Sequence, residues 1–352
     1  MKTKTIKINE KNCTTNEFYE AAQILRKGGL VAFPTETVYG LGGDGLKEDA
    51  AKKIYEAKGR PSDNPLIIHI ADLGSLALLA EEVPETGKKL AEAFWPGPLT
   101  MIFPKKKEVP YGTTGGLDTV AVRMPSHKIA LELIRISGVC IAAPSANTSG
   151  RPSPTRASHV KDDLDGKIDM IIDGGEVGIG IESTIVDLTG EVPTILRPGF
   201  ITKKMLEDVV GRVEVDKAIL GKSMDPNLKP KAPGMKYKHY APKGDLTILE
   251  GNTKAVIKTI NEKTEEALQS GKTVGIIASD ETRSFYTKGI VKEIGTRTNE
   301  VSISQKLYGI LREFDDLNVD IIYSESFASD NLGQAIMNRL LKAAGYQIVT
   351  CE

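Results

Sequence analysis

The sequence has few cysteines, few aromatic residues and almost no net charge. Its three cysteines, Cys13, Cys140 and Cys351, lie far apart and form no CxxC pair, so neither a disulfide framework nor a thiolate zinc site is predicted and a reducing cytoplasm is expected. A net charge of −1 argues against broad electrostatic binding to nucleic acid or to an anionic membrane, although it leaves room for a local basic cavity. No apolar run approaches membrane-spanning length, and the basic residues 1–11 lack the apolar segment of a signal peptide.

What is present is typical of a water-soluble globular protein with two domains. The chain has 352 residues, of which 40% are hydrophobic and 26% are charged. Thr14 and Glu17 form a capping box before an apolar-periodic helix, which ends at Gly28-Gly29. Short apolar runs then predict strands at residues 30–33, 66–70, 99–103, 120–122, 139–142, 168–172 and 184–188. Several connections are too short for a helical crossover, so we expect a mixed sheet.

A change of composition near residue 213 predicts a domain boundary. Residues 225–242 contain four prolines with lysines between them, typical of a semi-rigid linker, but residues 234–240 are too aromatic for a plain spacer. Further on, strand patterns and an amphipathic helix over 303–317 predict a smaller α/β domain with a parallel sheet; the strands fall at 246–249, 274–278, 290–294 and 319–323. We therefore divide the chain into an N-terminal domain (1–212), a proline- and lysine-rich linker (213–243) and a C-terminal domain (244–352).

Two familiar nucleotide motifs are matched only in part. Gly40-x-Gly42-x-x-Gly45 has the spacing of a dinucleotide fingerprint, but six residues separate it from the preceding strand, so we interpret it as a glycine-rich loop. Gly271-Lys272-Thr273 lacks the earlier glycine of a Walker A loop. His69 lies inside an apolar run, and its spacing alone predicts a core residue and not a metal ligand.

Four polar loops at strand ends are better candidates for a site; they cover residues 34–37, 58–66, 143–153 and 180–184. The second carries Lys58 and Arg60 among prolines that stiffen it, and by itself it could be a basic turn or a phosphate clamp. The third is dense in hydroxyl and amide groups, which can donate to phosphate oxygens. Arg123 lies at the end of a predicted strand, where it could form an ion pair at the end of the sheet or bind the carboxylate of a ligand. Together these loops favour one anion-binding cleft.

Five motifs, in this order, resemble the YrdC-like family. They are Pro34-Thr35-Glu36-Thr37-Val38-Tyr39-Gly40-Leu41, Lys58-Gly59-Arg60-Pro61-Ser62-Asp63-Asn64-Pro65-Leu66, Phe94-Trp95-Pro96-Gly97-Pro98-Leu99-Thr100, Ala143-Pro144-Ser145-Ala146-Asn147 and Glu182-Ser183-Thr184. Residues 233–242 and 331–340 resemble the linker and the last helix of the long, two-domain threonylcarbamoyl-AMP synthases of that family, although Asn331-Leu332 departs from the usual glycines. The resemblance implies an N-terminal YrdC-like mixed, twisted sheet with helices and a concave cleft, and a small C-terminal Rossmann-like α/β domain.

The resemblance also implies an activity. Such enzymes are nucleotidyltransferases that join L-threonine, bicarbonate or CO2, and ATP into L-threonylcarbamoyl-AMP and release pyrophosphate. The product serves modification of the adenosine at position 37 of tRNAs that read ANN codons, through a downstream threonylcarbamoyl transferase. Direct binding of tRNA is expected to be weak or absent, and no membrane partner is expected. Magnesium is expected mainly on the ATP phosphates, with no metal site of protein ligands.

The site residues follow by resemblance, position by position. Lys58 and Arg60 are implied as the catalytic residues that hold the phosphates. The residues implied for L-threonine are Thr37, His69, Arg123, Ala143 and Ser183. Those implied for ATP are Lys58, Arg60, Asn64, Thr119, Ser145, Asn147, Ser153, Arg197 and, from the linker, Tyr240.

Other functions compete with this interpretation. A nucleic-acid-binding module is disfavoured by the near-neutral charge and by the lack of a long basic stripe. A carbamoyl-transfer enzyme of a related YrdC-like branch would be expected to carry zinc-finger-like and acylphosphatase-like parts. The C-terminal domain could act as a lid or as a stabilising element.

Overall fold

The protein is described by a computed structural model that covers residues 2–220, 231–233 and 239–352, without the side chains of residues 218 and 220. It divides into two compact units: Met1–Ser149 with Ser153–Tyr237, and Gly150–Pro152 with Lys238–Glu352. Much of the expected proline- and lysine-rich linker, residues 221–230 and 234–238, lies outside the described residues.

The first unit is built on a mixed sheet, as expected. Its strands, in chain order, are β1 (Lys4–Lys7), β2 (Val31–Pro34), β3 (Tyr39–Asp44), β4 (Ile67–His69), β5 (Leu99–Pro104), β6 (Thr119–Arg123), β7 (Ile141–Ala142), β8 (Met170–Asp173), β9 (Thr184–Asp187), β10 (Thr194–Arg197) and β11 (Glu214–Val215). Their order across the sheet is β1-β8-β2-β3-β7-β4-β6-β5-β9-β10-β11, with parallel and antiparallel neighbours.

Helices accompany this sheet, and local sequence sets their ends. They are α1 (Tyr19–Arg26), α2 (Glu48–Lys58), α3 (Glu85–Phe94), α4 (Tyr111–Thr114), α5 (Lys128–Ser137), α6 (Ala157–Leu164), α7 (Lys203–Val210) and α8 (Lys217–Leu220). The capping box begins a single 3₁₀ turn, Thr15–Phe18, that continues into α1: Thr14 is its N-cap, and the Glu17 carboxylate accepts from the Thr14 amide at 2.7 Å. Gly59 ends α2 in the left-handed region (φ 62°), a conformation that costs glycine little.

The interpretation of Gly40-x-Gly42-x-x-Gly45 as a loop is wrong, because Gly40 and Gly42 lie in β3. A Cβ atom on Gly42 would lie 2.7 Å from Ile141 Cγ2 and 2.8 Å from Phe33 Cε1. These glycines therefore let neighbouring side chains pack closely on the strand. Strand β1 was also missed, because an edge strand with two lysines lacks the apolar pattern of a buried one.

The second unit has a five-stranded sheet in which every pairing is parallel, as predicted. Its strands are β12 (Asp245–Gly251), β13 (Val274–Ala278), β14 (Ile290–Glu293), β15 (Ile321–Glu325) and β16 (Ile348–Cys351), in the spatial order β14-β13-β15-β12-β16. Its helices are α9 (Thr253–Gln269), α10 (Glu300–Asp316) and α11 (Asn331–Ala343). The amphipathic pattern over 303–317 falls on α10, as expected, and Phe314 from it is fully buried.

Candidate active site

Strand register brings several of the predicted residues to one face of the first sheet. In the adjacent strands β4, β6 and β5, Ala121 pairs with Ile67 and with Ile102. These three side chains share an apolar cluster with Ile185. Since side chains alternate along a strand, residues two positions away project from the same face. His69, Thr100 and Arg123 are two positions from Ile67, Ile102 and Ala121 respectively, so the apolar cluster is bordered by a polar group.

Arg123 is the centre of that polar group, and it is almost fully buried. Its Nη1 donates to Thr37 Oγ1 at 3.0 Å, and its Nε donates to the Gly97 carbonyl at 3.3 Å. Its Nη2 lies 2.7 Å from Glu36 Oε1. Arg123 therefore forms an ion pair, one of the two alternatives for it, and it contacts Thr37, another residue implied for L-threonine; its binding of a carboxylate stays a prediction.

His69 is buried beside Arg123 and is neutral at physiological pH. Burial is the main cause of its low pKa, with the Arg123 charge second, and the pKa falls to about 3. Its Nδ1 lies 3.2 Å from the Ile67 carbonyl, which orients the ring. A neutral imidazole can give one hydrogen bond and take one, but it cannot balance the charge of a carboxylate.

Ser183 joins this group from the start of β9. Its hydroxyl lies 2.8 Å from Thr100 Oγ1, and it accepts from Arg197 Nη2 at 3.1 Å. Arg197 also donates from Nε to the Ser183 carbonyl at 3.0 Å. A residue implied for ATP thus holds a residue implied for threonine. The described linker segment lies here too, because Arg197 Nη1 is 3.5 Å from the Pro233 carbonyl and Ala232 joins the apolar cluster.

The opposite end of β4 carries the predicted phosphate residues. Lys58, the last residue of α2, donates from Nζ to the Ser145 carbonyl at 2.5 Å and contacts the Asn147 carbonyl. The Ser145 hydroxyl donates to Asn147 Oδ1 at 2.5 Å. Lysine, serine and asparagine, implied together for ATP, are therefore in direct contact although 87 residues of sequence separate Lys58 from Ser145.

Arg60 and Asn64 shape the loop between α2 and β4. The guanidinium of Arg60 donates to the Asn64 carbonyl at 3.3 Å and to the Pro65 carbonyl at 3.2 Å. The Asn64 side chain is buried, and within the described residues its Oδ1 has no hydrogen-bond partner. A buried acceptor of this kind is the sort of group that a ligand satisfies.

The remaining predicted residues are less closely connected with the groups around Arg123 and Lys58. Thr119 is at the end of β6 opposite Arg123, on the same face by alternation. The backbone amide of Ala143 donates to the Ile67 carbonyl at 2.8 Å, and the Ser153 hydroxyl donates to Glu182 Oε1 at 2.5 Å. Tyr240 belongs to the second unit, where its ring stacks on Tyr308 with centroids 5.2 Å apart. Its contact with the nucleotide stays a prediction.

Sequence reasoning gave no role to three residues of this region: Glu36, Thr100 and Glu182. Each lies inside a motif that resembles the family, yet a carboxylate or hydroxyl beside a predicted ligand residue does not by itself indicate a role. The pairing of β5 with β9 brings Thr100 to Ser183, whereas Glu36 and Glu182 lie in loops that bring them to Arg123 and Ser153. Among the residues that the structure describes, groups of three or more His, Cys, Asp or Glu side chains able to hold a metal ion do not occur. None of the described helices is long and apolar enough to cross a membrane.

The fold and the site define an α/β protein in which a buried arginine is paired with a carboxylate and a buried lysine contacts a loop that carries Ser145 and Asn147. A family model described as "Telomere recombination" matches residues 23–199, and one described as "Threonylcarbamoyl-AMP synthase, C-terminal domain" matches residues 201–345. The chain therefore belongs to the two-domain threonylcarbamoyl-AMP synthase family.

Individual relatives agree with this assignment. The chain is 51% identical over 332 residues to a threonylcarbamoyl-AMP synthase of Pyrococcus abyssi, covering 94% of each chain. It is 49% identical to the one of Bacillus subtilis, covering 94% of this chain and 93% of the other. A crystal structure of P. abyssi Sua5 complexed with L-threonine matches with a TM-score of 0.94 and 48% identity, covering 99% and 100% of the two chains. The E. coli YciO structure matches 55% of this chain with 27% identity and a TM-score of 0.51.

Proposed function

We propose that this protein synthesises L-threonylcarbamoyl-AMP from L-threonine, bicarbonate or CO2, and ATP, and releases pyrophosphate. The observation that carries the proposal is the arrangement around β4. Buried Arg123, with Thr37, lies at one end of the strand. Lys58, with Ser145 and Asn147, lies at the other. The relative of P. abyssi complexed with L-threonine supports threonine as the amino acid.

The chemistry needs binding and charge stabilisation more than a covalent intermediate. The neutral amine of threonine adds to CO2 and loses a proton to solvent, which gives a carbamate. A carbamate oxygen then attacks the α-phosphorus of ATP while the bond to pyrophosphate breaks. Arg123 and Thr37 hold the threonine carboxylate. Lys58 and Arg60 stabilise the negative charge that builds up on the phosphates, the role in which fixed cations are most effective. Neutral His69 can orient threonine without competing for its charges.

Magnesium, when bound, neutralises phosphate charge and helps pyrophosphate to leave. The oxygens of ATP are the ligands that we expect to hold it, because Mg²⁺ favours phosphate and water and usually takes few protein ligands. Lys58 and Arg60 would then contact the phosphate oxygens that the metal does not.

The product is a mixed anhydride, so it requires a downstream transferase that passes the threonylcarbamoyl group to adenosine 37 of tRNA. We place this protein in the cytoplasm with that partner. Direct contact with tRNA is not needed for the reaction proposed here.

The test is mass spectrometry of the products formed from ATP, magnesium, bicarbonate and L-threonine. We expect threonylcarbamoyl-AMP and pyrophosphate with L-threonine, and much less of either with L-serine or without bicarbonate. Pyrophosphate release that does not depend on an amino acid would contradict the proposal. Steeply salt-dependent binding of tRNA with no threonine-dependent turnover would favour a nucleic-acid-binding function instead.

A further inference from the structure

Glu36 is a largely buried acid in the turn between β2 and β3, and the reaction proposed above assigns it no role. The Thr35 hydroxyl holds this turn, because it donates to the Val38 carbonyl at 2.7 Å and accepts from the Thr37 amide at 3.2 Å. The turn directs the Glu36 carboxylate inward, where the side chain is 13% exposed.

The contact between Glu36 and Arg123 is short but poorly aligned. Nη2 lies 2.7 Å from Oε1, yet within the described residues neither carboxylate oxygen meets strict hydrogen-bond geometry, although the backbone amides of Glu36 and Ser126 lie near. The other donors of Arg123 are directed at Thr37 and Gly97. The Glu36 carboxylate is therefore held beside the guanidinium by charge, at 2.7 Å, with a hydrogen bond that is not well aligned.

Glu36 is ionised in this environment. Burial would raise its pKa, but the Arg123 charge and the nearby amides outweigh that effect and hold the pKa below its usual value. Two histidines lie near Glu36: the pKa of His69 falls to about 3, and burial also lowers the pKa of His127. Arg123 and Glu36 therefore form a pair of opposite charges before any ligand enters, and the next buried cation, Arg197, lies against Ser183.

Charge balance then limits what the site accepts. A ligand with only a carboxylate would place two anions on one buried guanidinium, which is costly where charges are desolvated. An α-amino acid brings a carboxylate and an ammonium group together, so each charge of the ligand can meet one charge of the protein. The same balance of charge accounts for the position of Glu36 beside Arg123, the arginine implied for the substrate carboxylate.

We propose that Glu36 binds the α-ammonium group of the amino acid while Arg123 binds its α-carboxylate, so that this pair selects a zwitterion. The proposal rests on the proposed function, because it concerns the threonine site of that reaction. Glu36 is then a specificity-determining residue that contacts the substrate. The alternative is a buttress, in which Glu36 only holds the side chain of Arg123 in place.

The experiment compares ligands on Glu36→Gln by calorimetry and by competition. The ligands are L-threonine and 2,3-dihydroxybutyrate, which has a hydroxyl in place of the ammonium. Glutamine keeps an oxygen that can accept from Arg123 but removes the charge. We expect threonine affinity to fall roughly ten- to hundred-fold, the range for loss of a charged hydrogen bond, and the affinity for the hydroxy acid to stay the same or rise. Glu36→Asp should recover part of the threonine affinity.

The matched control is Glu132→Gln, which removes a carboxylate that also lies 2.7 Å from an arginine, Arg135, but on the surface. It should leave both affinities unchanged. Equal loss of affinity for both ligands in Glu36→Gln would overturn the proposal in favour of the buttress, and wild-type threonine affinity in that variant would overturn both roles. Failure of the wild-type protein to bind threonine would instead count against the proposed function.

Discussion

Arg197 donates two hydrogen bonds to Ser183, from Nε to its carbonyl at 3.0 Å and from Nη2 to its hydroxyl at 3.1 Å. The antiparallel pairing of β9 and β10 brings the two residues together. Ser183 in turn contacts Thr100, which pairs in register with Arg123. The residue implied for ATP is therefore connected to the threonine end of the site through one serine.

This connection predicts that Arg197→Ala impairs the use of both substrates. Loss of the two charge-assisted hydrogen bonds should lower kcat/KM for ATP and for threonine by about ten- to hundred-fold each. Steady-state kinetics with each substrate varied in turn would measure it. Arg197→Lys should recover little, because lysine lacks the fork that reaches both atoms. Arg212→Ala, which removes an exposed ion pair with Glu214, is the control. A decrease in kcat/KM for ATP alone, with kcat/KM for threonine unchanged, would argue against the connection through Ser183.

Arg60→Ala should separate phosphate chemistry from threonine binding. We expect threonine-dependent release of pyrophosphate to fall by at least about 100-fold, because a fixed charge on the phosphates is lost. Threonine affinity, measured by calorimetry, should be unchanged, because Arg60 lies at the other end of β4 from Arg123. Arg26→Ala is a suitable control, since Arg26 also donates to backbone carbonyls, those of Ile136 and Ser137. Comparable losses in both variants would indicate a structural role for Arg60.

His69 should make the stability of the protein pH-dependent. Its pKa is about 3 in the folded chain and about 6.5 in an unfolded one. Between these values the unfolded state binds more protons, so stability is lost as the pH falls from about 6.5 toward 3, with a slope of at most about 1.4 kcal/mol per pH unit. In His69→Gln this part of the slope should disappear, which thermal unfolding across that range would measure. If the stability of the wild type and of His69→Gln changed with pH in parallel, His69 would not be the cause of the pH dependence.

Gly42→Ala should destabilise the first unit without touching the site. The added methyl group would lie 2.7 Å from Ile141 and 2.8 Å from Phe33, both in the core. Overpacking of this kind costs about 1–3 kcal/mol. Hydrogen exchange of β2 and β3 amides would report it. Gly190→Ala, whose nearest atom would be 4.0 Å away, is the matched control and should change stability by less than about 0.5 kcal/mol. Equal effects would show that Gly42 is not tightly packed.

Sequence reasoning predicted the features that depend on residues close together in the chain, and it did not predict contacts between distant residues. Apolar runs of four or five residues predicted most strands of the first unit and four of the second, because burial of both faces leaves a continuous pattern. Strands β1, β10, β11 and β16 were missed and β3 was misread as a loop; lysines mask β1, and glycines mask β3. The predicted residues of the 58–66 and 143–153 loops were identified through a resemblance, whereas their contact through Lys58 is a product of the fold.

The sequence alone determined the α/β character of the chain, the parallel second domain and the motifs that indicate the family. Those properties depend on composition, periodicity and short motifs, all of which are local in the chain. Only the tertiary structure decided which side chains share one face of the first sheet, that His69 is neutral, and that Arg123 has Glu36 as its counter-ion. These facts depend on register between strands distant in sequence and on burial, and burial changes the energy of a charge more than any neighbour along the chain does.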